Sequence, residues 1–364
     1  MKICICGGGN LATVCAGFIA ARQDAEVSVF TRRPEAWSRE LEVLDPEGHC
    51  FRGHLAAVSS RAEELVPQAD LILLCLPGFA IEPTLQAIRP WLRPDTAVGS
   101  VVSSTGFFFF AHDLLPADQP LFGFQRVPFI SRIENYGHRA HLLGYKPELS
   151  VAIENESHFC TSQSVGASSA SSSACAVSAS SSVFASSASP LLSLLEQLFR
   201  TPMRRLRSFY EASLTNSNPI LHTGRLYTLW RDWHGTPLST PIRFYEEWTD
   251  EASACILSMD DELMALTRHL GIDERAVPSL LTYYESTDAS SLTRKIRSIA
   301  AFQGIQAPMR QTPEGYIPDF QSRYFTEDFP FGLRFIRQLL HDQGIPCPHI
   351  DEVFAWGISL QDRA

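Results

Sequence analysis

The segment from Asn216 to His222 places a histidine among amide side chains, in the order Asn-Ser-Asn-Pro-Ile-Leu-His. Asn218 and His222 are four positions apart, so a helix would present them on one face. Imidazole titrates near neutral pH, and a histidine flanked by amides can therefore exchange a proton with a bound molecule. The segment predicts His222 as a catalytic residue and Asn216 and Asn218 as substrate ligands. The alternative is a hydrogen-bonded structural histidine.

A second polar segment lies between Pro318 and Pro330 and reads Pro-Asp-Phe-Gln-Ser-Arg-Tyr-Phe-Thr-Glu-Asp-Phe-Pro. This pattern is typical of a loop held against a surface. The Arg323 guanidinium suits bidentate binding of a substrate carboxylate, and the Asp328 carboxylate suits orienting a histidine and stabilising its charged form. The alternative is the start of a surface helix, with Thr326 as its cap and the acidic residues in its first turn.

The N-terminal residues predict a phosphate-binding turn. An apolar run at 3–6 leads into Gly7-Gly8-Gly9-Asn10-Leu11-Ala12, and residues 11–22 have the composition of a helix. In the G-x-G-x-x-G/A pattern the first glycine permits the tight turn, the second lets a pyrophosphate approach the backbone, and the small last residue lets helix and strand pack closely. The amides at the helix start are further donors for phosphate. We expect dinucleotide contacts at Gly7, Gly9, Asn10, Leu11 and Ala12, the alternative being a merely structural glycine turn.

The end of the second predicted strand, 26–30, indicates which dinucleotide binds. An NAD-binding fold usually has an acidic residue there for the ribose hydroxyls, whereas this chain has Thr31-Arg32-Arg33. A hydroxyl and two guanidiniums favour a 2′-phosphate, so NADP, used as NADPH, is favoured over NAD. The alternative is a solvated arginine pair. Pro77 follows the apolar run 70–76, at the carboxyl end of another buried strand, and is predicted to contact the cofactor as well.

The remaining pattern predicts two domains. Further strands are expected at 96–102, 120–124, 141–145, 149–153 and 203–209, in a sheet with an antiparallel or mixed edge. Helices are expected at 191–199, 210–230, 246–270, 274–284, 292–302 and 331–343. The sequence therefore predicts an α/β, Rossmann-type dinucleotide-binding domain over 1–209 and a mostly α-helical substrate and catalytic domain over 210–364. The stretch 162–189 is rich in serine and alanine and is interpreted as an insertion in the first domain or a flexible connector.

Composition narrows the classes of partner. The 364 residues are 45% hydrophobic and 19% charged, with a net charge of −10, which disfavours a nucleic-acid or anionic-membrane partner. Nine scattered cysteines are typical of thiols in a reducing compartment, and Cys347-Pro348-His349 is one pair rather than a metal site. A strand at the very start leaves no room for a signal peptide, and no apolar run approaches about 20 residues. We expect a cytosolic protein that binds no metal, and the sequence leaves monomer and homodimer open.

These residues resemble the octopine/nopaline-type opine dehydrogenases. The resemblance is carried by the glycine turn at 7–10, the strand and loop at 70–80, the Asn-x-Asn-x-x-x-His pattern at 216–222 and the segment 318–332. Its most specific part is Arg-Tyr-x-Thr-Glu-Asp-x-Pro at 323–330. The resemblance covers almost the whole chain except the serine-rich stretch.

The resemblance implies a reductase of the imine formed between an amino acid and a 2-oxo acid, with hydride delivered from a reduced nicotinamide. Carried over by position, it implies that His222 is the catalytic acid and base, Asp328 its partner and Arg323 a carboxylate ligand. One departure concerns the residue after the histidine, which is often proline in the family and is Thr223 here. The proline of this chain, Pro219, lies three residues before the histidine instead.

Two other functions compete with this one. A ketopantoate or β-hydroxyacid-type reductase shares the order of domains, but such enzymes resemble one another in a lysine at the start of the second domain's first helix. This chain has lysine only at positions 2, 146 and 295. The other competitor is a non-catalytic NADP-binding sensor, since a fold does not by itself define chemistry. No residue identifies the amino acid or the 2-oxo acid.

Overall fold

The computed structural model describes residues 1–159 and 189–361. The predicted insertion at 162–189 lies outside the described residues, except for Ser189. The chain divides into two compact units, one formed by Met1–Ser103 with Phe107–Ala212 and the other by Ser104–Gly106 with Ser213–Ala364.

The first unit is built on one large sheet. In chain order its strands are β1 Lys2–Cys6, β2 Glu26–Phe30, β3 Glu40–Leu44, β4 Cys50–Ser59, β5 Leu71–Leu74, β6 Ala97–Ser100, β7 Leu121–Phe124, β8 Phe129–Asn135, β9 Arg139–Tyr145, β10 Leu149–Glu154 and β11 Met203–Arg205. Their spatial order is β11-β10-β7-β6-β5-β1-β2-β4-β3-β9-β8. The six strands from β7 to β4 are parallel, whereas β10 on β7, β3 on β4 and β8 on β9 are antiparallel. This arrangement confirms a Rossmann-type fold with a mixed edge.

Six helices accompany this sheet along the chain up to residue 213. They are α1 Asn10–Ala20, α2 Ala62–Leu65, α3 Gly78–Ile88, α4 Phe107–Leu114, α5 Pro190–Phe199 and α6 Phe209–Ser213. Helix α1 is buried along its length, because its residues from Ala12 to Ala20 are apolar or small. Phe18 of α1 and Phe199 of α5 both pack on Phe129, at ring distances of 5.1 and 5.8 Å. Burial of each such ring contributes about 2 to 3 kcal/mol, so this cluster fixes α1 against the sheet.

The second unit is mostly α-helical, as predicted. Its helices are α7 Thr223–Trp230, α8 Asp250–His269, α9 Leu280–Tyr283, α10 Ala289–Ser298, α11 Arg323–Thr326, α12 Arg334–Asp342 and α13 Pro348–Gln361. Strands β12 Met309–Thr312 and β13 Gly315–Pro318 form an antiparallel hairpin. Two short π-helical segments, Ser217–His222 and Phe329–Leu333, precede α7 and α12. Among residues 1–159 and 189–361, no helix has both the length and the apolar character that crossing a membrane requires.

Several predicted boundaries are wrong. The strand predicted over 203–209 stops at Arg205, and the helix predicted over 210–230 is divided into α6, a π-helical segment and α7. The helix predicted over 274–284 contains only α9, and strands β3, β4 and β8 and helix α13 had no sequence prediction. Thr326 does not cap a helix: it ends α11, and its hydroxyl donates to the carbonyl of Ser322 at 3.3 Å. Side-chain periodicity needs a long run to be visible, so short elements such as α9 and β3 are difficult to place from sequence.

Candidate active site

The glycine turn of the first unit needs its first glycine. Gly7 has a φ of +136°, and an added Cβ would lie 2.5 Å from the carbonyl oxygen of Cys75, just beyond β5. The Gly7 amide donates to the carbonyl of Phe30 at 2.9 Å, so the turn is tied to the end of β2 as well. The turn therefore lies where three parallel strands end, which is the usual place for a dinucleotide in this fold.

The start of α1 has the geometry of an anion site. Gly9 is the N-cap residue of α1, no side chain caps the helix, and the position of an added Cβ at Gly9 has no described atom within 4 Å. Ala12 is fully buried, and its Cβ would lie 3.4 Å from a Cβ added at Gly7. Leu11 is half-buried, and the Asn10 side chain accepts a hydrogen bond from the Ile133 amide at 2.8 Å. The backbone amide of Asn10, at the start of the helix, is a donor that a phosphate can use.

The residues after β2 differ in their surroundings. Thr31 is buried, and an added Cβ at Gly8 would lie 2.9 Å from its hydroxyl oxygen and 2.6 Å from that of Tyr136. Arg32 is exposed, whereas the Arg33 guanidinium lies 4.2 Å from the centre of the Tyr136 ring. The neighbouring side chains of Trp37, Arg33 and Thr31 oppose the effect of burial and lower the pKa of Tyr136. Tyr136 could not be predicted from sequence, because it lies more than a hundred residues away along the chain.

Pro77 lies shortly after the carboxyl end of β5, as predicted. It is the N-cap residue of α3, with an extended backbone and a half-buried side chain, three residues after β5. A proline is well suited to this position because its fixed φ favours the extended conformation that precedes a helix. Its contact with a cofactor stays a prediction.

In the second unit the two predicted chemical segments come together. Nδ1 of His222 lies 2.8 Å from an Asp328 carboxylate oxygen, although the two residues are 106 positions apart. The side chains are 13% and 15% exposed, so the pair is largely shielded from water and still accessible. His222 ends the first π-helical segment and Asp328 directly precedes the second. Such segments often occur at functional sites because they shift side chains out of α-helical register.

Aromatic side chains surround the imidazole. Nε2 of His222 lies 2.9 Å from the hydroxyl oxygen of Tyr245, and the His222 ring lies 4.7 Å from that of Tyr324 and 5.8 Å from that of Phe244. Burial raises the pKa of Tyr245 and of Tyr324, and the Asp328 carboxylate adds to both shifts. Both phenols therefore stay protonated near neutral pH. In the sequence, the signal that could have indicated Tyr245 is the group of aromatic residues in Phe244-Tyr245-Glu246-Glu247-Trp248.

The two predicted amide ligands have different environments. Asn218 is exposed. Asn216 is 4% exposed, and its amide nitrogen donates to the Asp260 carboxylate at 2.9 Å and to the Pro278 carbonyl at 2.7 Å. Both hydrogens of the Asn216 amide are thus used inside the protein, and its role as a substrate ligand stays a prediction.

Arg323 is exposed at the start of α11, directly before Tyr324 and five residues before Asp328. Among the described residues, no carboxylate forms an ion pair with its guanidinium. An arginine of this kind has its donors available for a carboxylate from solution. The role of carboxylate ligand is consistent with this placement and stays a prediction.

The two side chains of the Cys347-Pro348-His349 sequence have different neighbours. Nδ1 of His349 lies 2.8 Å from the Glu262 carboxylate, whereas Cys347 groups with His341 and Asp351. Asp351 already accepts from the Arg337 guanidinium at 2.6 Å, and this positive charge opposes a bound cation.

Comparison with known proteins gives consistent matches to both units. Residues 205–360 match the family model described as NAD/NADP octopine/nopaline dehydrogenase, alpha-helical domain, and residues 3–105 match that of ketopantoate reductase PanE/ApbA. An opine dehydrogenase of Haliotis discus hannai is 27% identical, over 98% of this chain and 89% of that protein.

Two solved structures share the fold. An octopine dehydrogenase with NADH and L-arginine has a TM-score of 0.81 and 24% identity, covering 100% of this chain and 90% of that one. A yersinopine dehydrogenase with bound NADP+ has a TM-score of 0.70 and 14% identity, covering 99% and 91%. These relatives indicate that the chain is an oxidoreductase that depends on a nicotinamide dinucleotide. Within that class, the chain is similar to the opine dehydrogenases over almost its whole length.

Proposed function

We propose that this protein is an NADPH-dependent opine dehydrogenase, which condenses an amino acid with a 2-oxo acid and reduces the resulting imine. The observation that carries the proposal is the 2.8 Å contact between His222 and Asp328 beside the exposed Arg323 segment. We assign dinucleotide binding to residues 1–209 and substrate binding and catalysis to residues 210–364. The family match of residues 205–360 supports this division.

The protein's own groups supply acid–base chemistry and charge. Condensation of an amine with a ketone releases water and gives an imine, so it requires proton removal from the amine and proton delivery to the departing oxygen. His222 can perform both transfers, and Asp328 keeps its Nδ1–H directed away from the substrate. Arg323 binds a substrate carboxylate, and the exposed Asn218 is a second polar ligand. When bound, the reduced nicotinamide supplies the hydride.

The cofactor assignment is based on the first unit. The open position at Gly9 and the uncapped start of α1 fit a pyrophosphate, and Arg32 and Arg33 at the end of β2 fit a 2′-phosphate. Tyr136 supports this assignment because its ring lies against the Arg33 guanidinium and limits its motion. These features favour NADP over NAD.

The compartment assignment is based on the thiols. In the described part of the chain seven cysteines are free, and five of them are buried. Burial also raises the pKa of Cys255 and of Cys347 to about 11, so that neither thiol is a ready thiolate. We propose a reducing compartment, the cytosol, as the place where the protein works.

The test is a substrate screen. NADPH oxidation is followed for a panel of amino acids crossed with pyruvate, 2-oxoglutarate and oxaloacetate, and each 2-oxo acid is also tested without amine. The proposal predicts oxidation only when both substrates are present. Oxidation with a 2-oxo acid alone would instead support the ketopantoate-type reductase, which the match of residues 3–105 keeps as a second candidate. Cofactor binding without any turnover would support a sensor.

A further inference from the structure

We propose that Tyr245 is a positioning residue of the active site, which holds Nε2 of His222 so that Asp328, His222 and Tyr245 form one hydrogen-bonded triad. The proposal rests on the proposed function for its kinetic meaning, whereas the triad itself can be tested without turnover. The resemblance to the family implies roles for His222, Asp328 and Arg323, and none for Tyr245. Tyr245 is identified by its contact in the structure.

The direction of the two hydrogen bonds follows from the chemistry of the groups. An ionised carboxylate only accepts, so Nδ1 of His222, 2.8 Å from Asp328, must carry a hydrogen. In the neutral imidazole Nε2 then has no hydrogen and must accept. Its partner at 2.9 Å is the hydroxyl of Tyr245, which donates. The two neighbours therefore select a single tautomer of the ring.

The Tyr245 ring is held in place on both sides. It stacks on Phe302 with ring centres 4.0 Å apart and an angle of 17° between the planes, and on Trp248 at 6.1 Å and 6°. Its side chain is 5% exposed. Because the ring cannot turn without displacing its neighbours, the position of its hydroxyl is fixed in advance of substrate binding.

The backbone around Tyr245 is connected to the helix that carries His222. Arg225, one turn after His222, is 2% exposed. Its guanidinium donates to the carbonyls of Phe244 at 3.2 Å and Glu247 at 2.7 Å, which lie on either side of Tyr245. Burial lowers the pKa of Arg225 to about 10, so it remains a cation at neutral pH. A buried arginine that binds two backbone carbonyls fixes the distance between α7 and this turn.

The position of Tyr245 has a consequence for the reaction. Before substrate arrives, both ring nitrogens of His222 are hydrogen-bonded, so the plane and the tautomer of the ring are set. A substrate that exchanges a proton with Nε2 then takes the place of the Tyr245 hydroxyl. Loss of the Tyr245 hydroxyl removes one hydrogen bond, so that the His222 ring is held by its hydrogen bond to Asp328 alone. We expect a loss of about three- to tenfold in kcat, which is the range for one hydrogen bond. The KM values should stay within about twofold, because Tyr245 acts through His222 rather than on the substrate.

The test compares Tyr245→Phe with Tyr227→Phe in the full-length protein. Tyr227 also loses a hydroxyl hydrogen bond, to Glu352, but it does not contact His222. Both variants keep the aromatic ring, and melting temperatures are measured for both. The proposal predicts the kcat loss for Tyr245→Phe alone. An unchanged kcat in Tyr245→Phe would overturn the proposal. A raised KM together with a lowered melting temperature would also overturn it, because these changes would indicate a purely structural role.

A second measurement does not need activity. Long-range 1H–15N NMR of the histidine rings distinguishes the two tautomers, and a His222→Gln spectrum identifies the signals of His222. The wild-type protein should show Nδ1–H, with Nε2 shifted from the value of an unbonded nitrogen, and Tyr245→Phe should move Nε2 only. An Nε2–H tautomer in the wild type would refute the triad, even if Tyr245→Phe did not fold. Absence of turnover in the wild type would count against the proposed function and leave this measurement intact.

Discussion

Gly332 lies directly against Pro219, where the two π-helical segments of the second unit meet. A Cβ added at Gly332 would lie 2.9 Å from Cγ of Pro219 and 3.3 Å from its Cβ. The first segment ends in His222 and the second follows Asp328. The absence of a side chain at Gly332 therefore lets the segments approach closely enough for the imidazole and the carboxylate to meet.

Gly332→Ala should lower both stability and activity. The new methyl group meets a buried, rigid proline ring, and overpacking of this kind costs about 1 to 3 kcal/mol in the free energy of unfolding. The displaced segment should also lengthen the contact between His222 and Asp328 and lower kcat. Urea unfolding and steady-state kinetics measure the two effects.

Pro219→Ala provides the matched variant for this contact. Removal of the ring makes room for the new methyl group, so the double variant should lose less stability than the sum of the two single variants. If the losses of stability were additive, the methyl group at Gly332 would not be in contact with Pro219.

Asp328→Asn should lower kcat/KM by about 10² or more, because the neutral amide no longer holds the charged form of His222. Asp351→Asn is the control, since Asp351 also pairs with a histidine in the second unit, His341, at 2.9 Å. Steady-state kinetics with the substrate pair found in the screen should show the loss for Asp328→Asn and wild-type rates for Asp351→Asn. Equal rates in all three proteins would remove Asp328 from the mechanism.

Arg33→Ala should raise the KM for NADPH by about tenfold or more and leave that for NADH nearly unchanged. The expected size is that of a lost charge-assisted hydrogen bond to a phosphate. Arg52→Ala is the control, because Arg52 is an exposed arginine of the same unit that pairs with Glu42 at 3.3 Å. A wild-type protein that uses NADH as well as NADPH would contradict the assignment of the arginines.

The buried Asp260 carboxyl should make stability depend on pH. Burial raises its pKa from 3.8 to about 6, despite hydrogen bonds from the Leu280 amide and Asn216. The folded state therefore holds a proton that the unfolded state releases between about pH 4 and 6. Across that interval the contribution of Asp260 to the free energy of unfolding falls as pH rises, by up to about 3 kcal/mol.

The difference in unfolding free energy between wild type and Asp260→Asn isolates this contribution. As pH rises through this interval, Asp260→Asn should become more stable relative to the wild type. The Asp261→Asn variant, at an exposed position, should show no such trend. A difference that is constant with pH would show that Asp260 ionises in the folded protein as it does in the unfolded one.

Much of the first unit could be predicted from sequence because its signals are local. The apolar run before Gly7, the glycine spacing and the helix after it are encoded in consecutive residues, and the structure has β1, the turn and α1 in those places. Strands β3 and β4 were missed, since their pairing partners rather than their own pattern stabilise them. Tyr136 was missed for the same reason, because it reaches Arg33 only through the pairing of distant strands.

The sequence by itself determined the types of the reacting groups: a dinucleotide turn at Gly7, a histidine at 222, and an arginine and an aspartate at 323 and 328. Tertiary structure alone decided that His222 binds Asp328, that Asn216 is used internally and that Tyr245 completes the site. The physical reason is that helices and turns form from neighbouring residues, whereas these contacts depend on how the two π-helical segments and the turn at 243–248 pack. Such packing depends on the shapes of side chains that are far apart along the chain, so a local sequence pattern cannot predict it.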